Sequence, residues 1–239
     1  MNNKGRAAGR SGLGAVMGSK KLKAVVARGT MVPPVENPEA MKQVRKDQTA
    51  KLGGHVVGLR QYGTPGIFNM CAKSDDAPTK NWVGVAEIDL PTYEKLGAEP
   101  VIAWQERRYG CWKCPIACGG HLKPSTENSD YQWAAGAHKP EYETLAMFGT
   151  NCLNDNLDSI IKVTDICNRY GVDTISAGAC IAFTMECYER GILTKEDCNG
   201  LEMKWGNHKA IVAMTEKLCL RQGFGDILAD GVKVAAEKI

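Results

Sequence analysis

Residues Tyr109-Gly110-Cys111-Trp112-Lys113-Cys114-Pro115-Ile116-Ala117-Cys118 place three thiols at Cys-x2-Cys-x3-Cys spacing, followed by Gly119 and Gly120. Two and three intervening residues form a loop that aims sulfurs inward, so the triplet suits one soft metal centre. An iron–sulfur cluster takes four ligands, often a tight triplet plus one distant residue, and Pro115 stiffens the loop after the second thiol. Structural zinc is the rival, with His121 as a fourth ligand. Buried free thiols without metal are the third alternative.

A second concentration of chemistry opens the chain. Gly5 to Lys20 packs five glycines with Arg6, Arg10 and Lys20 into sixteen positions. Glycines let backbone N–H groups approach a ligand, and arginine forks match phosphate oxygens, so a phosphate-bearing cofactor is the natural partner. Gly12-x-Gly14 is not a dinucleotide fingerprint, because the third glycine is misplaced and no strand precedes it. The competing reading is a basic tail touching nucleic acid. The charge is strongly asymmetric: residues 1–30 carry +7 with no acid, whereas the other 209 hold 23 basic and 27 acidic groups, net −4.

These groups need a scaffold. At 239 residues, 44% hydrophobic and 24% charged, the chain has an ordinary globular composition and enough length for a sizeable core. No apolar run approaches the roughly 20 residues of a membrane span, and the N-terminus is polar and basic, which predicts a soluble, cytoplasmic protein. Ten cysteines in a chain of this size argue for free thiols in a reducing compartment. Cys167, Cys180 and Cys187 sit in apolar helical patterns, where cysteine behaves as a small hydrophobe.

In chain order, Lys23–Ala27 reads as a strand. Asn37-Pro38-Glu39 opens a solvated helix running to about Lys51 and stopped by Gly53-Gly54. Tyr62 to Pro91 is rich in turn residues and reads as an ordered loop region packed down by Trp82. Lys123 to Lys139 reads as a surface excursion. A helix follows Asn154-Asp155-Asn156, carries Leu157, Ile160, Ile161 and Thr164, and ends at Gly171. The next opens at Asp173-Thr174, is apolar nearly all round, and ends at Gly191, which predicts burial. Asn207 caps a third helix, and Asp226 caps a fourth from Ile227 towards Ala236.

Four motifs follow one another: Gly-Arg-x2-Gly-Arg-x-Gly-x-Gly-Ala-Val-Met-Gly-Ser-Lys at residues 5–20, the cysteine triplet, Pro140-Glu141-Tyr142-Glu143-Thr144, and Gly171-Val172-Asp173-Thr174-Ile175-Ser176-Ala177-Gly178. In this order they resemble the aldehyde:ferredoxin oxidoreductase family of tungsten, less often molybdenum, enzymes, over nearly the whole chain. The resemblance implies an α+β, mainly α-helical fold. Residues 1–35 would be the end of a pterin-binding β domain and 36–239 an α-helical iron–sulfur domain. A third domain, with the fourth cluster ligand and a second pterin motif, would lie beyond Ile239, so the chain resembles an excised piece.

The implied cofactors are a tungsten (or molybdenum) bis-pyranopterin and a [4Fe–4S] cluster. By motif position Arg6, Ala7, Gly9 and Arg10 would contact pterin phosphates, Asp173 and Thr174 the pterin, and Cys111, Cys114 and Cys118 three irons. Glu141 and Glu143 are the candidate catalytic carboxylates, against the plainer alternative of ion-paired residues at a helix start. Implied partners are an aldehyde and ferredoxin, with no nucleic acid or membrane, in a homo-oligomer or a larger complex when full length, under anaerobic conditions. The runner-up readings are a benzoyl-CoA-reductase-type catalytic subunit and a non-catalytic metal-binding module.

Overall fold

The glycine–arginine stretch forms a 3-10 turn (Arg10–Gly12) and helix α1 (Leu13–Ser19) in the computed structural model, which describes Gly5 and residues 9–239. Arg6 and Ala7 lie outside the described residues. From 22 to 35 the chain has no regular structure and is exposed, so the expected strand Lys23–Ala27 does not form. A strand needs a partner edge for its hydrogen bonds, and the sheet found among the described residues is a two-stranded one elsewhere.

Helix α2 (Pro38–Ala50) follows as expected, solvated throughout, with the Asn37 side chain accepting from the Ala40 N–H at 2.9 Å. Helix α3 is His55–Tyr62. The region expected to be loop is partly helical: a 3-10 turn (Thr64–Ile67), α4 (Phe68–Lys73) and α5 (Ala86–Asp89) bury Phe68, Cys71 and Ala72. Helices of six and four residues are too short to display a 3.6-residue period in sequence. Trp82 does not pack the region down; it is 68% exposed.

After α6 (Ala98–Ala103), strands β1 (Gln105–Tyr109) and β2 (Gly119–Leu122) form an antiparallel hairpin whose last pair is Tyr109–Gly119. The cysteine triplet is therefore the tip of this hairpin. Residues 123–139 are not merely a surface excursion, since Tyr131, Trp133, Ala137 and Lys139 are buried. Trp133 stands edge-on to Trp104 with centroids 5.2 Å apart, and the Tyr131 hydroxyl bonds His208 Nδ1 at 2.6 Å. Aromatic contacts between distant segments hold the stretch down although it lacks regular structure.

The core is helical: α7 (Tyr142–Phe148), α8 (Leu157–Tyr170), α9 (Thr174–Glu189) and α10 (His208–Leu220). Helix α9 packs against α7, α10 and the terminal helix α12 (Val232–Lys238), which is why its apolar surface extends nearly all round. Ile160, Ile181, Met185, Ile211 and Met214 are fully buried between these elements. The expected fourth helix is two: α11 (Phe224–Leu228) and α12, separated at Ala229–Gly231. Asp226 lies inside α11 and pairs with Arg221 at 2.8 Å rather than capping. The ten cysteines are free, and Cys167, Cys180 and Cys187 are buried as expected. Among the described residues no helix is long and apolar enough to cross a membrane.

Asn156 caps α8, its side chain accepting from the Ser159 N–H at 2.8 Å. Asn156→Ala is expected to lower stability by about 1 kcal/mol, measured by denaturant unfolding, with Asn156→Ser restoring most of it.

Candidate active site and cysteine loop

A cavity of about 410 Å³ is lined by Gly9, Arg10, Glu141, Glu143, Asp173 and Thr174 together, residues drawn from three separate sequence motifs. Asp173 precedes α9 in an extended conformation and caps it, its Oδ2 accepting from the backbone N–H and the hydroxyl of Ser176, each at 2.8 Å. The cap satisfies one of the free N–H groups that begin any helix. Arg10 Nε lies 4.0 Å from the same oxygen, and Arg10 is largely exposed. Gly9 explains how the N-terminal segment comes so close: a β-carbon there would sit 3.0 Å from Asp173 N and Cβ.

Thr174 is fixed by a 2.8 Å hydrogen bond between its hydroxyl and that of Thr144 in α7. Glu141 precedes α7 in an extended conformation, and its side chain does not cap the helix. It accepts a short hydrogen bond from the Thr64 hydroxyl, whose oxygen in turn accepts from the Tyr142 N–H at 2.9 Å. Glu143 follows in the first turn and is exposed at the cavity. Carboxylates here also sit favourably at the positive end of the α7 dipole.

Sequence reasoning missed Tyr109, His138, Lys139 and Asn168, which line the same cavity. Their clues were slight: Tyr109 abuts the cysteine loop, and His138-Lys139 immediately precedes Pro140-Glu141. The Tyr109 hydroxyl and His138 Nδ1 are 2.8 Å apart, and both rings pack on His121, at 4.7 and 4.8 Å between centroids. His121 also bonds the Gly136 carbonyl through Nδ1 at 3.2 Å. These contacts fix the orientation of the His121 ring.

Lys139 is 4% exposed, and its ammonium donates to the carbonyls of Tyr62 at 2.7 Å and Cys118 at 3.2 Å. Burial pushes its pKa below the ordinary lysine range, against the pull of Glu141 and Cys118.

The hairpin tip carries Cys111, exposed, with Cys114 and Cys118 half-buried. The loop turns through a Cys114 N–H to Cys111 carbonyl bond of 2.9 Å and through left-handed Lys113 and Ala117. Among the described residues no three His, Cys, Asp or Glu side chains are gathered closely enough to hold one ion. The three thiols thus share one loop without being closed into a ligand set. The chemistry of the donors fits a thiolate-bound metal even so. The backbone N–H groups of Ala117 and then Ile116 point at the Cys114 sulfur and hold its pKa below the ordinary thiol value. N–H groups aimed at a sulfur stabilise its anion, the form that binds iron.

This shift has a direct consequence for reactivity. Alkylation of the metal-free protein by iodoacetamide, followed by peptide mass spectrometry, should modify Cys114 at lower pH than an ordinary exposed thiol. Cys152, fully buried and pushed well above the thiol range, should stay unmodified until the protein unfolds.

Residues 38–239 match the family profile described as aldehyde ferredoxin oxidoreductase, domains 2 and 3, and residues 1–29 match the N-terminal domain of the same family. The tungsten-containing aldehyde ferredoxin oxidoreductase of Pyrococcus horikoshii is 37% identical over 246 residues, covering 100% of this chain and 39% of that protein. The Pyrococcus furiosus protein of the same name is 35% identical, covering 99% of this chain and 38% of its own length. The WOR-like subunit of the aliphatic sulfonate oxidoreductase of Pyrococcus furiosus is 33% identical over 98% of this chain and 36% of its own. The chain thus spans well under half the length of these relatives.

Among solved structures, the active-site complex BamBC of benzoyl coenzyme A reductase has the same fold, with a TM-score of 0.66 at 24% identity over 96% of this chain and 35% of that one. With a family profile matched from residue 38 to residue 239 and a second over residues 1–29, this chain belongs to the aldehyde ferredoxin oxidoreductase family.

Proposed function

We propose that this chain is part of a tungsten-dependent aldehyde:ferredoxin oxidoreductase, which converts an aldehyde and water to a carboxylate and passes the electrons through a [4Fe–4S] cluster to ferredoxin in an anaerobic cytoplasm. The observation that carries the reading is the single cavity in which Gly9, Arg10, Glu141, Glu143, Asp173 and Thr174 meet, with Tyr109 connecting its wall to the cysteine loop.

Within this reading the pterin-held metal supplies two-electron redox chemistry and the cluster one-electron transfer when both are bound. The chain's own residues do the rest. Arg10 and the backbone at Gly9 bind phosphate, together with Arg6 and Ala7 by motif position. Asp173 accepts N–H groups of the pterin, and Thr174, locked by Thr144, faces the same ligand. Glu141 or Glu143 takes the proton released as water adds to the aldehyde carbon, which requires a carboxylate within hydrogen-bond reach of that water. Cys111, Cys114 and Cys118 supply three cluster ligands.

The test is metal and pterin analysis of the full-length protein purified without oxygen, with aldehyde-dependent reduction of ferredoxin. Tungsten, iron and pterin with turnover support the reading. Zinc alone would favour a metal-binding module. Tungsten with turnover only on a coenzyme A thioester would favour the reductase-type reading. Steeply salt-dependent DNA binding through residues 1–30 would assign the +7 segment to nucleic acid instead.

A further inference from the structure

Lys139 stands out because its charge is larger than its visible task. Its ammonium bonds two backbone carbonyls, Tyr62 at the end of α3 and Cys118 in the metal loop. A neutral amide could donate to the same two oxygens at lower desolvation cost, and the opposite charge that offsets this buried cation is Glu141, held by the neighbouring turn. The contact is also built with care on the other side. Gly63 has a φ of +73°, and a β-carbon there would fall 2.6 Å from both the Cys118 carbonyl and the Lys139 nitrogen. The next residue, Thr64, holds Glu141 and the start of α7. A single turn therefore clamps the cysteine loop, the lysine and the carboxylate, and Lys139 also lines the cavity.

We propose that Lys139 is a positioning residue that sets the electron affinity of the centre held by the cysteine loop, its buried charge raising the reduction potential of that centre. This rests on the reading of Cys111, Cys114 and Cys118 as cluster ligands. Each electron that enters a cluster adds one negative charge, and a nearby cation shielded from water stabilises the reduced form more than the oxidised one. Lys139 both lines the cavity and bonds the Cys118 carbonyl, so its charge lies between the cavity and the cysteine loop.

The experiment is an EPR-monitored redox titration of the full-length, cluster-loaded protein and its Lys139→Gln, Lys139→Met and Lys139→Arg variants, with iron content measured first. Iron-free wild-type protein would overturn the cluster reading itself, and this inference with it. With iron present, Lys139→Gln, which keeps a donor but loses the charge, should shift the midpoint potential to more negative values, and Lys139→Met should do the same. Lys139→Arg should stay near wild type. An unchanged potential in Lys139→Gln at full iron content overturns the proposal. So does a shift to more positive values, the direction expected if the lysine only seals the cluster from water.

Discussion

Full-length protein carrying Cys114→Ser should lose most of its cluster iron, along with the visible absorption band and the EPR signal of the reduced cluster. Cys114 is the middle thiol of the hairpin tip and the one whose anion is stabilised by the Ala117 and Ile116 N–H groups. A serine hydroxyl in the same place is a harder ligand, and two donors do not lower its pKa enough to make it an anion at neutral pH. The loop would then offer two thiolates, too few to anchor the cluster from this side. The candidate pterin contacts Gly9, Arg10, Asp173 and Thr174 lie outside the hairpin, in the N-terminal segment and at the start of α9, so tungsten and pterin content should change much less. Cys180→Ser supplies the contrast, because that thiol is buried on α9 and should leave the iron count intact. A full complement of iron with a wild-type EPR spectrum in Cys114→Ser would remove Cys114 from the ligand set.

The second large effect is expected at Asp173. As a cap it accepts from Ser176 through one carboxylate oxygen, and asparagine retains an oxygen that can do the same. The charge that Asp173→Asn removes faces Arg10 at 4.0 Å, with the arginine 66% exposed, so the ion pair contributes at most about 1 kcal/mol in a screened setting. Fold stability should therefore barely move. Loss of a charge-assisted hydrogen bond to a bound pterin is a different matter: such bonds contribute about 1.5–3 kcal/mol, which is roughly a 10-fold or greater loss of affinity. The expected result in the full-length protein is depleted tungsten and pterin, little change in iron, and a nearly unchanged unfolding midpoint. Wild-type tungsten occupancy and turnover in Asp173→Asn would reduce the residue to a helix cap.

Both variants depend on placements that differ in how readable they were. Helix starts were legible, since a cap is a local event: Asn37, Asn156, Asp173 and Asn207 each accept from a backbone N–H three residues on. The burial of α9 was legible as well, because a helix apolar on every side has to be surrounded. The order of motifs was enough for the family.

Pairing and packing between distant segments were not legible. Lys23–Ala27 has strand composition, yet a strand exists only where another edge accepts its hydrogen bonds, and sequence does not name that edge. Residues 123–139 look polar and turn-rich, yet Trp133 and Tyr131 anchor them to Trp104 and His208, contacts that only the fold creates. Lys139 would pass for a solvated lysine in any linear reading. Its burial follows from the approach of Gly63 to Cys118, and no local pattern encodes it. Residue types and short spacings determined which groups could do chemistry and where helices begin, because ligand spacing and capping act over a few residues. Which of those groups share one cavity, and which charge is buried beside the cysteine loop, was decided by tertiary packing, because desolvation and cross-chain hydrogen bonds come into being only when remote segments meet.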